Sequence, residues 1–393
     1  MSPSLYNELY FAVHRALRTV IPDLQDRIPI TWHTAPYPFI LYVPFIFMAY
    51  LARRQDTYIV RLLLLPITLC GIVAAAYRYV WTIPDLNVYN WGQCLLAAVT
   101  IAKSLEYAFT QVGMLKIGEI RPGLVKGKRS PAIQVNRPSH HTITPWLYDA
   151  VELAHTLRGL GWKFGQGVHI PKETRPLERI PFLSATLRSF ITNFLLLDLL
   201  ECIIKLFPGV GSPIGGSIFY PNLSPIPRYL ISTLIHIMTG TSILFGFKMV
   251  YDLITLIAVS VLNSSPTCWP PVTDHPWTAD SMHAFWARNW HQLLRQTFLV
   301  LGGYPGKWIA GDLGMLLGTF IASGLFHECA MYSMGRGFDH TVSIFFTLQG
   351  PVLVLERVWR EVTGRRVGGW VGRLWVYSIL FLGAQPMGTL NHT

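Results

Sequence analysis

His283–Glu328 reads HAFWARNWHQLLRQTFLVLGGYPGKWIAGDLGMLLGTFIASGLFHE. A polar, aromatic and basic segment, Phe285–Arg295, leads into an apolar run that ends on Ser323-Gly-Leu-Phe-His-Glu328. A run of that length and apolarity asks for lipid around it, and a histidine near its end costs free energy unless it is paired or put to use. Outward from this stretch the chain repeats the pattern, with long apolar runs separated by short basic or uncharged connections.

Composition agrees. Hydrophobic residues make up 51% of the 393 and charged residues only 13%, where soluble domains carry roughly 25% charged. The mean hydropathy is +0.36. An all-α polytopic membrane protein follows, with one integral membrane domain over 1–393. The formal charge of +11 gathers in particular loops, as membrane orientation requires, and no nucleic-acid motif accompanies it. The five cysteines, Cys70, Cys94, Cys202, Cys268 and Cys329, show neither metal nor redox spacing, so buried free thiols are expected and no metal site. The N-terminus lacks the basic start and short apolar core of a cleavable signal.

About eight spans are expected: 37–52, 57–80, 88–115, 187–206, 229–262, 308–328, 341–357 and 371–387. Pro66 kinks the second. The third carries Lys103 and Glu106, three apart and on one face, where a buried ion pair is the first reading and a functional site the second. Glu201 and Lys205 can pair in the fourth. The fifth is too long for one upright helix of roughly 20 residues, so it tilts or extends beyond the membrane with Lys248 and Asp252 in its outer part. Residues 1–36 form an interfacial N-terminal segment. Leu9, Val13, Ala16, Leu17 and Val20 share a face there, which suits an interfacial helix or one packed on the protein itself. In the loop 116–180, Trp146, Leu147, Ala150, Val151, Ala154 and Leu157 recur at helical spacing opposite Glu152, His155 and Arg158. That helix is expected to lie on the membrane face and to stop at the glycines of Arg158-Gly-Leu-Gly-Trp-Lys163.

The basic loops, Arg53/Arg54, 116–180, 263–307 and Arg357–Arg366, then fall on one side, expected to be cytosolic. The nearly uncharged 81–87 and 207–228 loops and both termini fall on the other. The sequons Asn222-Leu-Ser224 and Asn391-His-Thr393 would share that far side. No internal repeat is found, which argues against a secondary transporter.

His327 is the first candidate base. Imidazole has an unperturbed pKa of about 6.5 and suits proton removal near neutrality; the alternative is a histidine hydrogen-bonded between helices. Ser323, four residues earlier, either faces it or lets helices pack closely. Glu328, being adjacent, points elsewhere. If 285–295 is helical, Arg288, His291 and Arg295 share a face able to hold a phosphate or a carbonyl; a plain interfacial helix fits as well.

Phe285-Trp-Ala-Arg-Asn-Trp-His291 followed by Ser323-Gly-Leu-Phe-His327 resembles the paired signatures of the membrane-bound O-acyltransferase (MBOAT) superfamily. The nearest likeness is to its wax-synthase-like branch, found in plants and expanded in fungi, and Leu157-Arg-Gly-Leu-Gly-Trp162 resembles the fungal members. The specific motifs cover about 60 residues. The resemblance implies an MBOAT-like bundle, a catalytic base at His327 in a cavity reached from both faces, and an active-site role for His291, a position where many relatives have asparagine. It implies acyl-CoA as a co-substrate with no bound cofactor, and a hydrophobic alcohol as acceptor.

The expected reaction is a direct transfer in a ternary complex, with no acyl-enzyme. His327 takes the hydroxyl proton, and Asn289 or His291 bonds the developing oxyanion. Arg288, Arg295, Lys307 and Trp290 hold the acyl-CoA. The leading expectation is acetyl transfer to a terpenoid or meroterpenoid hydroxyl in secondary metabolism, in the endoplasmic reticulum. A long-chain wax-ester or sterol-ester synthase is the enzyme alternative. A transporter or scaffold with a path along Lys103, Glu106, Asp198 and Glu201 is the alternative of another class.

Overall fold

The computed structural model describes residues 5–125, 145–210, 217–338 and 340–385. The sequon at Asn391, the end of the expected span 371–387 and residues 126–144 of the expected loop lie outside the described residues. In chain order come α1 (Leu5–Val20), β1 (Ile28–Pro29), α2 (Pro36–Ile40), α3 (Val43–Ala52), α4 (Tyr58–Tyr77), β2 (Tyr79–Val80) and α5 (Asn87–Phe109). They are followed by β3 (Glu119–Arg121), β4 (Leu124–Val125), α6 (Pro145–His155), α7 (Arg179–Ile204) and α8 (Pro225–Ser260). The last are α9 (Met282–Ala284), α10 (Arg295–Phe298), α11 (Tyr304–Ser333), α12 (Thr341–Thr363) and α13 (Gly369–Tyr377).

The protein is mostly helical, as its composition requires. Among the described residues, four helical stretches are long and apolar enough to cross a membrane: Tyr58–Tyr77, Pro225–Ser260, Arg295–Ser333 and Thr341–Thr363. Pro36–Ala52 and Gly369–Leu382 are apolar but shorter. The expected count of about eight is therefore not met by length and composition. α5 and α7 are helices of 23 and 26 residues, but Lys103 and Glu106 dilute the first and Arg188, Asp198 and Glu201 the second. α8 is one continuous helix of 36 residues, about 54 Å at 1.5 Å per residue. Upright, it would outrun a hydrocarbon core of roughly 30 Å at one end or both.

The chain forms two units, residues 1–166 with 294–338, and residues 167–293 with 339–393. In the first, Met48, Ala49 and Ala52 of α3, Ile72 of α4, Tyr107 of α5 and Leu153 of α6 make one core. α6 thus departs from expectation. Ala150, Leu153 and Ala154 are buried in protein rather than laid on a membrane face, because α3 offers them an apolar partner. The glycines after it end the helical stretch as expected. Gly159 and Gly161 take φ of +66° and +80°, and a Cβ on Gly159 would fall 2.7 Å from the backbone of Gly165. This tight loop drives Trp162 inward, where it is 1% exposed. The Arg53 and Lys116 cations lie 5.1 and 5.2 Å from its ring.

Arg53 also meets Glu119 through two hydrogen bonds of 2.7 and 2.9 Å. Glu119 accepts the backbone N–H of Lys116 and of Gly123 besides. Burial alone would raise this carboxyl, but the guanidinium and the two N–H donors outweigh it and hold it below the ordinary carboxylate value.

In the second unit α7 and α8 pack along each other. Ser189 donates to the buried Asp252 carboxylate at 2.6 Å. Glu201 pairs with Lys205 as expected, on an exposed face. Asp198 and Glu201 are exposed. A second core gathers Ala279, Met282, Phe285 and Val376.

Candidate active site

The segment Arg295–Ser333 is a folded-back pair of helices, not one span. Helical dihedrals fail at Ala310 (φ −140°, ψ 30°) and Gly311 (φ 60°, ψ −144°). On either side the arms touch through glycines. A Cβ on Gly302 would lie 2.0 Å from the carbonyl oxygen of Gly318, and one on Gly306 would lie 2.1 Å from that of Gly314. The four glycines read as G-x3-G twice, and only residues without a side chain let two backbones approach so closely. The expected span 308–328 is corrected to an arm running from Asp312 to Ser333, about 33 Å long. Within the expected cytosolic segment 263–307, the residues from Arg295 onward form the other arm.

Phe298 stacks edge-to-face on Phe326 at 5.2 Å. This sets the base of the first arm, and Arg295 with it, at the level of His327. The His327 ring is partly buried and lies 5.3 Å from the Phe326 ring. Its Nδ1–H donates to the Ser323 carbonyl at 2.7 Å. That bond selects the tautomer in which Nε2 carries the basic lone pair. Ser323 therefore serves His327 through its backbone.

The far end of the His327 helix is anchored from within the same unit. Ser333 donates its hydroxyl to the Asn90 carbonyl at 2.9 Å, and Arg27 donates to the Ser333 carbonyl at 3.1 Å.

Lys307 stands at the opposite end of the arm, near the turn, 3.6 Å from Asp312. Beside it Trp308 and Ile309 are 89% and 77% exposed. Arg295 and Lys307 are twelve residues apart in helical structure, about 18 Å. They do not form the single cation cluster expected of them.

Lys103 and Glu106 lie close enough for their charges to interact but do not meet in a direct ion pair. The Lys103 ammonium donates to the carbonyls of Leu153 and Thr156 at 3.1 and 2.8 Å. Glu106 accepts from Gln296 Nε2 at 2.6 Å. Both line a cavity of about 10 Å³ with Leu157, Phe164, Gln296 and Thr297, room for about one water. This is too narrow for a transport path. It does join the first arm to the Leu157–Trp162 loop, a role for Gln296 that sequence reading missed. The signal was there: an amide facing a buried carboxylate in an otherwise apolar run.

Residues 285–295 are not one helix. After α9 the chain makes a wide turn of five residues, Phe285–Asn289, and Trp290 is extended. Helix resumes only at Arg295, so Arg288, His291 and Arg295 share no helical face. Gln292 stabilises the break by donating to the carbonyls of Trp286 and Trp290 at 2.9 and 3.2 Å.

Asn289 is spoken for. Its side-chain N–H groups donate to the carbonyls of Asp274 and His275 at 2.6 and 3.4 Å, so it clamps a loop and is not available as an oxyanion donor. The Asp274 carboxylate in turn meets His169 at 2.7 Å. Trp290 stacks on Phe285 at 5.6 Å, and His291 lies 4.8 Å from the Phe247 ring. Arg288 is exposed.

Glu356, which sequence reading also passed over, holds the start of this segment. It accepts the N–H of Met282 at 2.7 Å, of His283 at 2.9 Å, and Trp375 Nε1–H at 2.9 Å.

Residues 269–348 match the "Membrane bound O-acyl transferase family", and they contain both His291 and His327. Over 244 residues the chain is 26% identical to an acetyltransferase, aurG, of Calcarisporium arbuscula, covering 56% of this chain and 58% of the relative. It is 27% identical over 238 residues to an O-mevalon transferase, yanI, of Aspergillus niger, covering 54% and 52%. A probable long-chain-alcohol O-fatty-acyltransferase of Arabidopsis thaliana is 25% identical over 154 residues, covering 35% and 44%. The chain thus spans little more than half the length of the first two relatives and less than half of the third. The matched segment, which holds the histidine of the glycine-packed hairpin, is thus similar to the membrane-bound O-acyltransferase family.

Proposed function

We propose that this protein transfers an acyl group, acetyl first among candidates, from acyl-CoA to a hydroxyl of a hydrophobic alcohol. The carrying observation is His327, held in one tautomer by Ser323 inside the segment that matches the family. Nε2 removes the hydroxyl proton, and the alcohol oxygen attacks the thioester carbonyl. The tetrahedral intermediate collapses with loss of the CoA thiolate, which takes up a proton. Ester and free CoA are the products. Arg295 stands at the level of His327 and Lys307 at the other end of the arm. A long donor with phosphates at one end and a thioester at the other suits that spacing, with Lys307 meeting phosphate. For His291 the resemblance supplies the reading, a residue that binds substrate or passes a proton. For Arg288 and Trp290 it supplies contact with the CoA.

The acetyl donor is supported by relatives named as acetyltransferases, and the terpenoid or meroterpenoid acceptor rests on the resemblance alone. The Arabidopsis relative, named for long-chain alcohols, favours the second reading, a long-chain ester synthase. About eight spans and a place in the endoplasmic reticulum complete the proposal, the basic loops facing the cytosol.

The test is a donor panel. Membranes carrying the protein are given labelled acetyl-CoA or palmitoyl-CoA with terpenoid and fatty alcohols, and ester is followed. Acetyl ester formation is expected. Product from palmitoyl-CoA alone would move the reading to the long-chain synthase, and transbilayer passage of alcohol with no ester from any pair would overturn both.

A further inference from the structure

α12 is long and apolar enough to cross a membrane, and its last turns and the start of α13 form a surface of another kind. Arg357, Arg360, Arg365, Arg366 and Arg373 are all exposed. Glu361 is the sole acidic residue between 357 and 373. None of the five arginines forms an ion pair among the described residues. Trp359 and Trp370 flank them, 52% and 74% exposed, and Val362 is 79% exposed.

The turn that carries this patch is built. Gly364 ends α12 at φ +69° and donates its N–H to the Arg360 carbonyl at 2.9 Å. The Thr363 hydroxyl accepts the Arg365 N–H at 3.2 Å. Asp280 accepts the Gly369 N–H at 3.0 Å and so helps fix the turn.

We propose that this turn is a docking surface for the headgroups of anionic phospholipids in the membrane that α12 enters. Three features carry it. Guanidinium forks match phosphate oxygens. Tryptophans beside them suit the zone between hydrocarbon and water. The patch is also continuous with apolar helix on both sides, since Thr341–Thr363 and Gly369–Leu382 both begin or end at it. A soluble phosphate ligand such as CoA shares the phosphate chemistry, but burying two exposed tryptophans and Val362 suits a lipid surface better than a small hydrophilic ligand. The inference stands apart from acyl transfer and does not need it.

The experiment uses the full chain in phosphatidylcholine vesicles doped with a photoactivatable phosphatidylserine, or a phosphatidylcholine with the same tails. Cross-links are mapped by mass spectrometry. A basic side chain near an anionic surface contributes roughly a fivefold preference. Labelling of 355–374 by the serine probe is therefore expected to exceed that by the choline probe by about fivefold or more. Replacing all five arginines by glutamine abolishes the excess, and replacing them by lysine preserves it, which separates lost charge from a failure to fold. Equal labelling by the two probes, or an excess that survives in the glutamine variant, overturns the proposal. So does displacement of the serine probe by saturating free CoA, which would make the patch a nucleotide site.

Discussion

His327 and Asn289 were both legible in the sequence as polar residues in the decisive stretch, and the structure gives their side chains different partners. A histidine in an apolar helix has few partners within reach, and the carbonyl four residues back is one of them. Its tautomer follows from helix geometry alone. Asn289 depends on the loop Asp274–His275, which no local pattern announces. Its replacement by alanine should remove the donor from the half-buried Asp274 carbonyl at about 1–3 kcal/mol. We expect a lower thermal midpoint with kcat changed less than threefold or so; a large selective loss of kcat at unchanged stability would return Asn289 to the chemistry. Glu119 offers a pH prediction of the same scale. Its carboxyl is held below the ordinary value, so its contribution is fully present above the unfolded value of about 4.3 and is lost as pH falls through the lower, folded one. Glu119→Gln leaves Arg53 buried without its charge partner and should cost roughly 3–5 kcal/mol near neutrality. The stability difference from wild type should close as the medium is acidified below that range, read by thermal unfolding in detergent. A gap that stays constant from neutral to acid pH would contradict it.

At the scale of elements the hairpin is the chief departure from the sequence reading. Hydropathy sees Arg295–Ser333 as one long apolar run and cannot see where it turns, because Ala310–Gly311 interrupts apolarity hardly at all. The glycines at 302, 306, 314 and 318 were the available signal, and they have meaning only once the two arms are known to be antiparallel. α6 shows the converse. Its helical period was plain in the sequence, but a buried face and a membrane-facing face have the same period, so the partner, α3, was invisible. The hairpin makes a clean prediction. Gly306→Ala places a Cβ about 2.1 Å from the Gly314 carbonyl oxygen, and overpacking of this kind costs typically 1–3 kcal/mol or more. Gly240→Ala, on α8 with nothing within 4 Å, should be neutral or mildly stabilising. Thermal unfolding of the two variants side by side decides: equal midpoints would mean the arms do not pack through glycine.

For the whole molecule, composition and motif order were enough for the class and for the family resemblance, since apolar excess and the order of the Trp-rich and Ser-x3-His segments survive any error in counting spans. The span count itself was not legible. α5 and α7 carry buried or paired polar groups, which lower hydropathy without preventing helix formation. The account rests on one chemical claim, that His327 is the general base of acyl transfer. The direct measurement is the initial rate of ester formation from labelled acetyl-CoA and an accepted alcohol, in membranes holding equal amounts of wild type and His327→Ala with matched thermal midpoints. Loss of a general base predicts a fall of roughly 10²–10⁴-fold; an undiminished rate in the variant would contradict the account.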